Sequence, residues 1–405
     1  LSVMDSATEA AAGRIALETS ERSAADPWVT GSVGVLVTAS ACITVGILWD
    51  ISWHLTIGRD TFWTPAHLMI YLGGVLAGLV ASGLLWRATV PPAAEAHEAP
   101  LASIRILGLR APLGAWVAAW GGSAMLISAP LDDWWHNAYG LDVRILSPPH
   151  ALLAAGMYGV AVGAVLLAAA ARNRSTDGRS GPRAAWVVAA MGIQLTLASV
   201  LLTELSFPNL QHTARFHLVS AAFYPAFLMA AARMAPVSWP ATRVALVYTG
   251  LLAAMIWILP LFPAEPGLAP VLNRVTRMVP PAFPLLLLVP AIALDGLHLA
   301  TRRWNSGAAW TLRIAAAAML FVGTFSPAQW HFSRYLIHPA ADNALVAGHG
   351  RFLGYMARRD AGQEVFWRGD QDPVSTKTWV RAFGFACLSG ALGSAVGAFL
   401  SRVQR

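Results

Sequence analysis

The chain has 405 residues, 56% of them hydrophobic and only 12% charged, with a mean hydropathy of +0.55. Soluble domains carry roughly a quarter charged residues, so the composition excludes an ordinary soluble protein and predicts an all-α polytopic integral membrane protein. The net charge of +7 rests on 28 basic residues, all arginine except Lys377; they sit mostly in short connectors, where they report topology and not nucleic-acid binding.

Residues 1–30 are polar and read as a cytoplasmic tail, with no short apolar core of the kind a cleavable signal peptide needs. A bilayer crossing takes about 20 apolar residues, and about ten such runs follow. They are expected at 31–49, 66–88, 111–131, 149–171, 184–204, 212–235, 241–262, 280–300, 307–325 and 380–401. The even connectors hold the arginines, among them Arg87, Arg105, Arg110, Arg172, Arg174, Arg233, Arg302 and Arg303, whereas the early odd ones hold only Arg59, Arg144 and Arg215. The positive-inside rule then predicts both termini in the cytoplasm of a cell (inner) membrane, with the odd connectors at the outer face. Four parts follow the tail: 31–175 with two conspicuous hairpins, 176–325 with further spans, a long outer loop at 326–379, and a last span and short tail at 380–405. Cys42 and Cys387 lie in apolar runs and support neither a disulfide framework nor a cysteine zinc site.

The hairpins carry the chemistry. Asp50, His54 and His67 recur, about one helical hairpin later, as Asp132, His136 and His150. In each copy the Asp and first His are four residues apart, so on a helix they share a face. Gly58 and Pro65 in the first copy, and Gly140 and Pro148-Pro149 in the second, break one helix and start the next. The second His therefore opens the following span at about the depth of the first. Two imidazoles and a carboxylate suit copper, zinc or iron, and three ligands leave a position open for a water, oxygen or substrate. Haem is disfavoured, because Gly and Pro interrupt both His–His intervals.

The pattern Asp50-x3-His54-x4-Arg59-Asp60-Thr61-x3-Pro65-x-His67 resembles the signature of the C subunit of the copper membrane monooxygenases, which include the particulate methane, ammonia and short-alkane enzymes. The resemblance implies that Asp50, His54 and His67 bind copper, with Arg59 and Asp60 orienting the ligands. A second family motif, Asn-x3-His-x13-His, has the spacing of Asp132, His136 and His150, with Asp132 standing where the family has Asn and Asp133 beside it. The likeness covers about residues 30–170. It implies partner subunits of the A and B types, O2 as co-substrate, and ammonia, methane or another small hydrocarbon as substrate. The alternative function is a stand-alone membrane copper protein for storage, sensing or delivery.

Elsewhere, Glu204, His212 and His217 form a third cluster, read as a degenerate hairpin site or as an interfacial polar group. His331, His338 and His349 match no metal template and read as solvated loop histidines. Asp295 and His298 read as hydrogen-bonding groups between helices.

Overall fold

A computed structural model of the chain describes residues 27–58, 61–90, 103–140, 147–174, 180–204, 211–234, 237–267, 276–303, 306–336, 338 and 372–404. Among these residues lie ten α-helices: α1 (Pro27–Thr56), α2 (Pro65–Thr89), α3 (Leu113–Tyr139), α4 (Pro148–Asn173), α5 (Ser180–Glu204), α6 (Ala214–Met234), α7 (Pro240–Ile258), α8 (Leu288–Thr301), α9 (Gly307–Leu336) and α10 (Thr376–Leu400). Seven of them, α1, α2, α4, α5, α7, α9 and α10, are long and apolar enough to cross a membrane. The chain is thus an all-α membrane protein; among the described residues the β-structure is one short hairpin and the pairing of Pro263 with Arg277.

Small residues bring the helices together. A methyl group on Gly73 of α2 would stand 2.6 Å from the Ala39 carbonyl oxygen and 3.1 Å from the Ile43 nitrogen of α1. One on Gly156 of α4 would stand 2.8 Å from the Gly121 oxygen and 2.9 Å from the Met125 nitrogen of α3. Ala39 to Gly121, Ile43 to Met125 and Asp50 to Asp132 are the same step along the sequence, as are Gly73 to Gly156 and His67 to His150. The repeat seen in the polar residues therefore extends into the packing beneath them. Backbones without side chains between them approach closely, which is how apolar helices associate where no hydrophobic force drives them.

The two hairpins pack through α2 and α3. Gly74 meets Met125, and Gly122 meets Gly74 and Gly78, so the helices run antiparallel. His67 lies seven residues before Gly74, and Asp132 seven residues after Met125. Both Asp/His clusters are therefore at the same end of the bundle. At the other end, β1 (Ile104–Ile106) and β2 (Leu109–Ala111) pair antiparallel across a Leu107-Gly108 turn with positive φ at both residues, as a two-residue hairpin turn needs. This hairpin lies between the second and third expected spans.

Several boundaries differ from the sequence reading; α1 and α3 run on past their expected ends at 49 and 131 to Thr56 and Tyr139. The span expected at 280–300 begins only at Leu288, because Pro280, Pro281 and Pro284 hold the preceding residues out of helix. The helix expected to stop at 325 continues through Pro327 to Leu336, taking His331 with it and shortening the outer loop expected at 326–379. α3 and α6 fall outside these seven.

Candidate metal centre

Asp50 and His54 are on the last turns of α1, and His67 is the third residue of α2. Gly58 ends α1 with φ 96°, a conformation costly for any residue with a Cβ. Pro65 then starts α2 with its φ already helical and no N–H to leave unpaired. The turn returns His67 onto Asp50: Oδ1 lies 3.1 Å from His67 Nε2, and Oδ2 lies 3.7 Å from His54 Nε2. The second cluster repeats this. Gly140 caps α3 at φ 84°, Pro148 opens α4, and Asp132 holds its oxygens 3.4 Å from His136 Nε2 and 3.7 Å from His150 Nε2. All six residues expected as metal ligands are thus gathered into the two expected groups, each carboxylate set between imidazoles from two helices.

The same atom is anomalous in both copies. Asp50 Oδ1 and Asp132 Oδ1 are buried carboxylate oxygens with no hydrogen bond, although each faces an imidazole nitrogen. At Asp50 the 3.1 Å approach lacks hydrogen-bond alignment, so proximity and not a bond describes the contact. Burying an unpaired polar oxygen costs about 1–3 kcal/mol or more when it is charged, and neither copy removes that cost with a donor. Among the described residues no three His, Cys, Asp or Glu side chains already stand in a finished metal-binding arrangement. The donors converge, but on the carboxylate and not around a common centre.

The clusters differ in wetness. Asp50 and His67 are 14% and 18% exposed, against 28% and 35% for Asp132 and His150; His54 remains 50% exposed. The first has a support that sequence reading missed. Residues 262–264 and 276–278 pair as a short ladder. It is tied to the opposite face of α1: Ser52 Oγ donates to the Val279 carbonyl, Thr56 Oγ1 accepts from Val279 N at 2.8 Å, and Gly267 N donates to the Ile57 carbonyl. This strap fixes the last turn of α1. In the second cluster a different device serves: Ser147, the N-cap of α4, places its Oγ 2.9 Å from His150 Nδ1, leaving Nε2 turned to Asp132. A Ser before Pro-Pro-His is a legible cap signal, but nothing in sequence says it also holds the ring.

Of the remaining expected site residues, Arg59 and Asp60 lie outside the described residues, as does the side chain of Glu204. Asp133 is exposed and receives the Asn137 amide at 3.4 Å. His212 and His217 do come together, but with α9 and α10. Their rings pack on Trp330, at 3.8 and 6.1 Å between centroids, and His217 also meets Trp379 at 5.0 Å. Ser333 Oγ donates to the Trp330 carbonyl and sits 2.7 Å from His212 Nε2, so that nitrogen carries the proton. Burial, with the nearby Arg334 charge, lowers the His212 pKa to about 4. α6 packs backbone to backbone on α10 through Gly393 and Gly397. His331 and His338 are exposed, and His349 lies outside the described residues. Asp295 accepts from Ala241 N, Thr242 N and Thr242 Oγ1, closing the first turn of α7.

Compared with known proteins, the chain matches no family model, no curated protein and no solved structure.

Proposed function

We propose that this is a copper-binding membrane subunit of the monooxygenase type, with Asp50, His54 and His67 holding one ion and Asp132, His136 and His150 a second. The observation that carries the reading is the repeated orphan: in each hairpin one buried carboxylate oxygen faces an imidazole without a hydrogen bond. An ion among the three side chains would satisfy it, and two nitrogens with one oxygen suit a borderline divalent metal. When bound, copper supplies the redox and Lewis-acid chemistry with O2 that side chains lack. Resemblance of Asp50 to His67 to the C-subunit signature supplies the substrate class, ammonia or a small hydrocarbon.

The chain's own residues do the positioning. The strap formed by residues 262–267 and 276–279 holds Ser52 and Thr56, and with them the turn that carries Asp50 and His54. Ser147 orients His150. Three side chains per site leave room for an exogenous ligand, and the arginine bias of the even connectors supports placing both sites at the outer face, with N- and C-termini inside. Electrons and a soluble redox domain would come from partner subunits.

The 50% exposure of His54 favours a second reading, in which the sites exchange copper for storage or delivery. Oxygen uptake by copper-replete membranes separates the two. Uptake stimulated by ammonia or a short alkane, and abolished by Asp50→Ala, is the expected result. Copper bound without substrate-dependent uptake, in membranes containing every co-purifying chain, would leave the storage reading.

A further inference from the structure

We propose that the arginine-rich end of α6, α8, α9 and α10 holds the phosphate of an anionic phospholipid. A cleft between these helices is lined by Arg233, His298 and Arg313, over a floor that includes Met229 and Leu297, with Ser394 of α10 at its side. Arg233 ends α6 and is exposed; Arg313 lies two turns into α9 and donates to the Thr301 carbonyl at 2.6 Å. The neighbouring carboxylate, Asp295, is engaged with the first turn of α7. Two guanidiniums and an imidazole therefore face one cleft, with Arg302 and Arg303 exposed just beyond α8.

Charge alone would suit any phosphate. The surroundings point to a lipid. Toward the middle of the bundle from the cleft the helices present apolar side chains outward: Ile292 on α8, Met319 on α9 and Leu392 on α10 are 46%, 62% and 61% exposed. A headgroup in the cleft would place its acyl chains along these faces. Basic pockets between membrane helices recognise anionic headgroups in this way, and arginine forks match phosphate oxygens two at a time.

The test uses the full chain in detergent, with lipid binding read by native mass spectrometry. Phosphatidylglycerol is expected to bind roughly tenfold more tightly than phosphatidylcholine, and Arg233→Gln with Arg313→Gln to abolish the preference. Arg233→Gln alone, at an exposed position that leaves the fold intact, should reduce it severalfold. An Arg110→Gln control, at the β-hairpin, should keep it. Equal binding of the two lipids by the unaltered chain, or an equal loss in the Arg110→Gln control, would overturn the proposal. Displacement of phosphatidylglycerol by inorganic phosphate would make the cleft a free-anion site and overturn the lipid assignment.

Discussion

Asp50 Oδ1 and His67 Nε2 stand 3.1 Å apart across a helix junction, and Asp132 Oδ1 and His150 Nε2 stand 3.7 Å apart across the equivalent one. In each pair the carboxylate comes from the helix that ends and the imidazole from the helix that begins. The Gly–Pro turn between them is therefore part of the site. The carboxylate of the second cluster is the more exposed of the two, 28% against 14%, and it stands where the resembled family has an amide. Asp132→Asn removes a negative charge from that donor set and should favour reduced copper there. The second-site reduction potential is expected to rise by roughly 60 mV, equal to a tenfold change in relative affinity for a one-electron couple. Redox titration followed by electron paramagnetic resonance measures it; an unchanged or lower potential would remove Asp132 from the donor set.

Ser147 tests orientation without touching a donor. Its hydroxyl lies 2.9 Å from His150 Nδ1, and partners of this kind typically account for 10–100-fold in metal affinity. Ser147→Ala should weaken copper binding at the second site by about that factor and leave the first unchanged. Ser147→Thr, which keeps the hydroxyl, should restore most of it. Competition with a chelator of known affinity reads both.

Packing beneath the site makes a separate prediction. Replacing a mid-helix Gly by Ala ordinarily gains about 1 kcal/mol in helix propensity. At Gly156 the added methyl would sit 2.8 Å from the Gly121 oxygen, and overpacking of this kind costs about 1–3 kcal/mol. The clash should win. Gly156→Ala is expected to lower the melting temperature and the occupancy of the second site together. Gly78→Ala, where a methyl meets nothing within 4 Å, should do neither.

His212 sets a pH limit. Its pKa is lowered to about 4 by burial and the Arg334 charge, against roughly 6.5 when unfolded. Between these values the unfolded chain binds the proton that the folded chain refuses, so this group's contribution to stability is present above pH 6.5 and is lost as pH falls toward 4. Thermal melts across that window should show the fall, and His212→Gln should flatten it. An unchanged slope in His212→Gln would show that other groups carry it.

What could be read in advance was local. The four-residue spacing of Asp50 and His54, the breakers Gly58 and Gly140, and the helix-starting Pro65 and Pro148 act over single turns, and each behaves as its chemistry dictates. What was hidden depends on distant parts of the chain. Nothing near Ser52 or Thr56 indicates that Val279 will meet them. The span expected to end at 325 runs on through Pro327 as α9, as membrane helices can where neighbours satisfy the freed carbonyl. His212 and His217 followed a local resemblance to the hairpins, whereas their place is set by Trp330, Ser333 and Trp379 from the far end of the chain.

Copper content per chain tests the central claim most directly. Purified full-length protein, loaded with copper and cleared of loosely held ion, should carry two equivalents; His67→Ala and His150→Ala should each carry one, and the double variant none. Two equivalents retained in the double variant would show that the paired imidazoles opening α2 and α4 hold no metal.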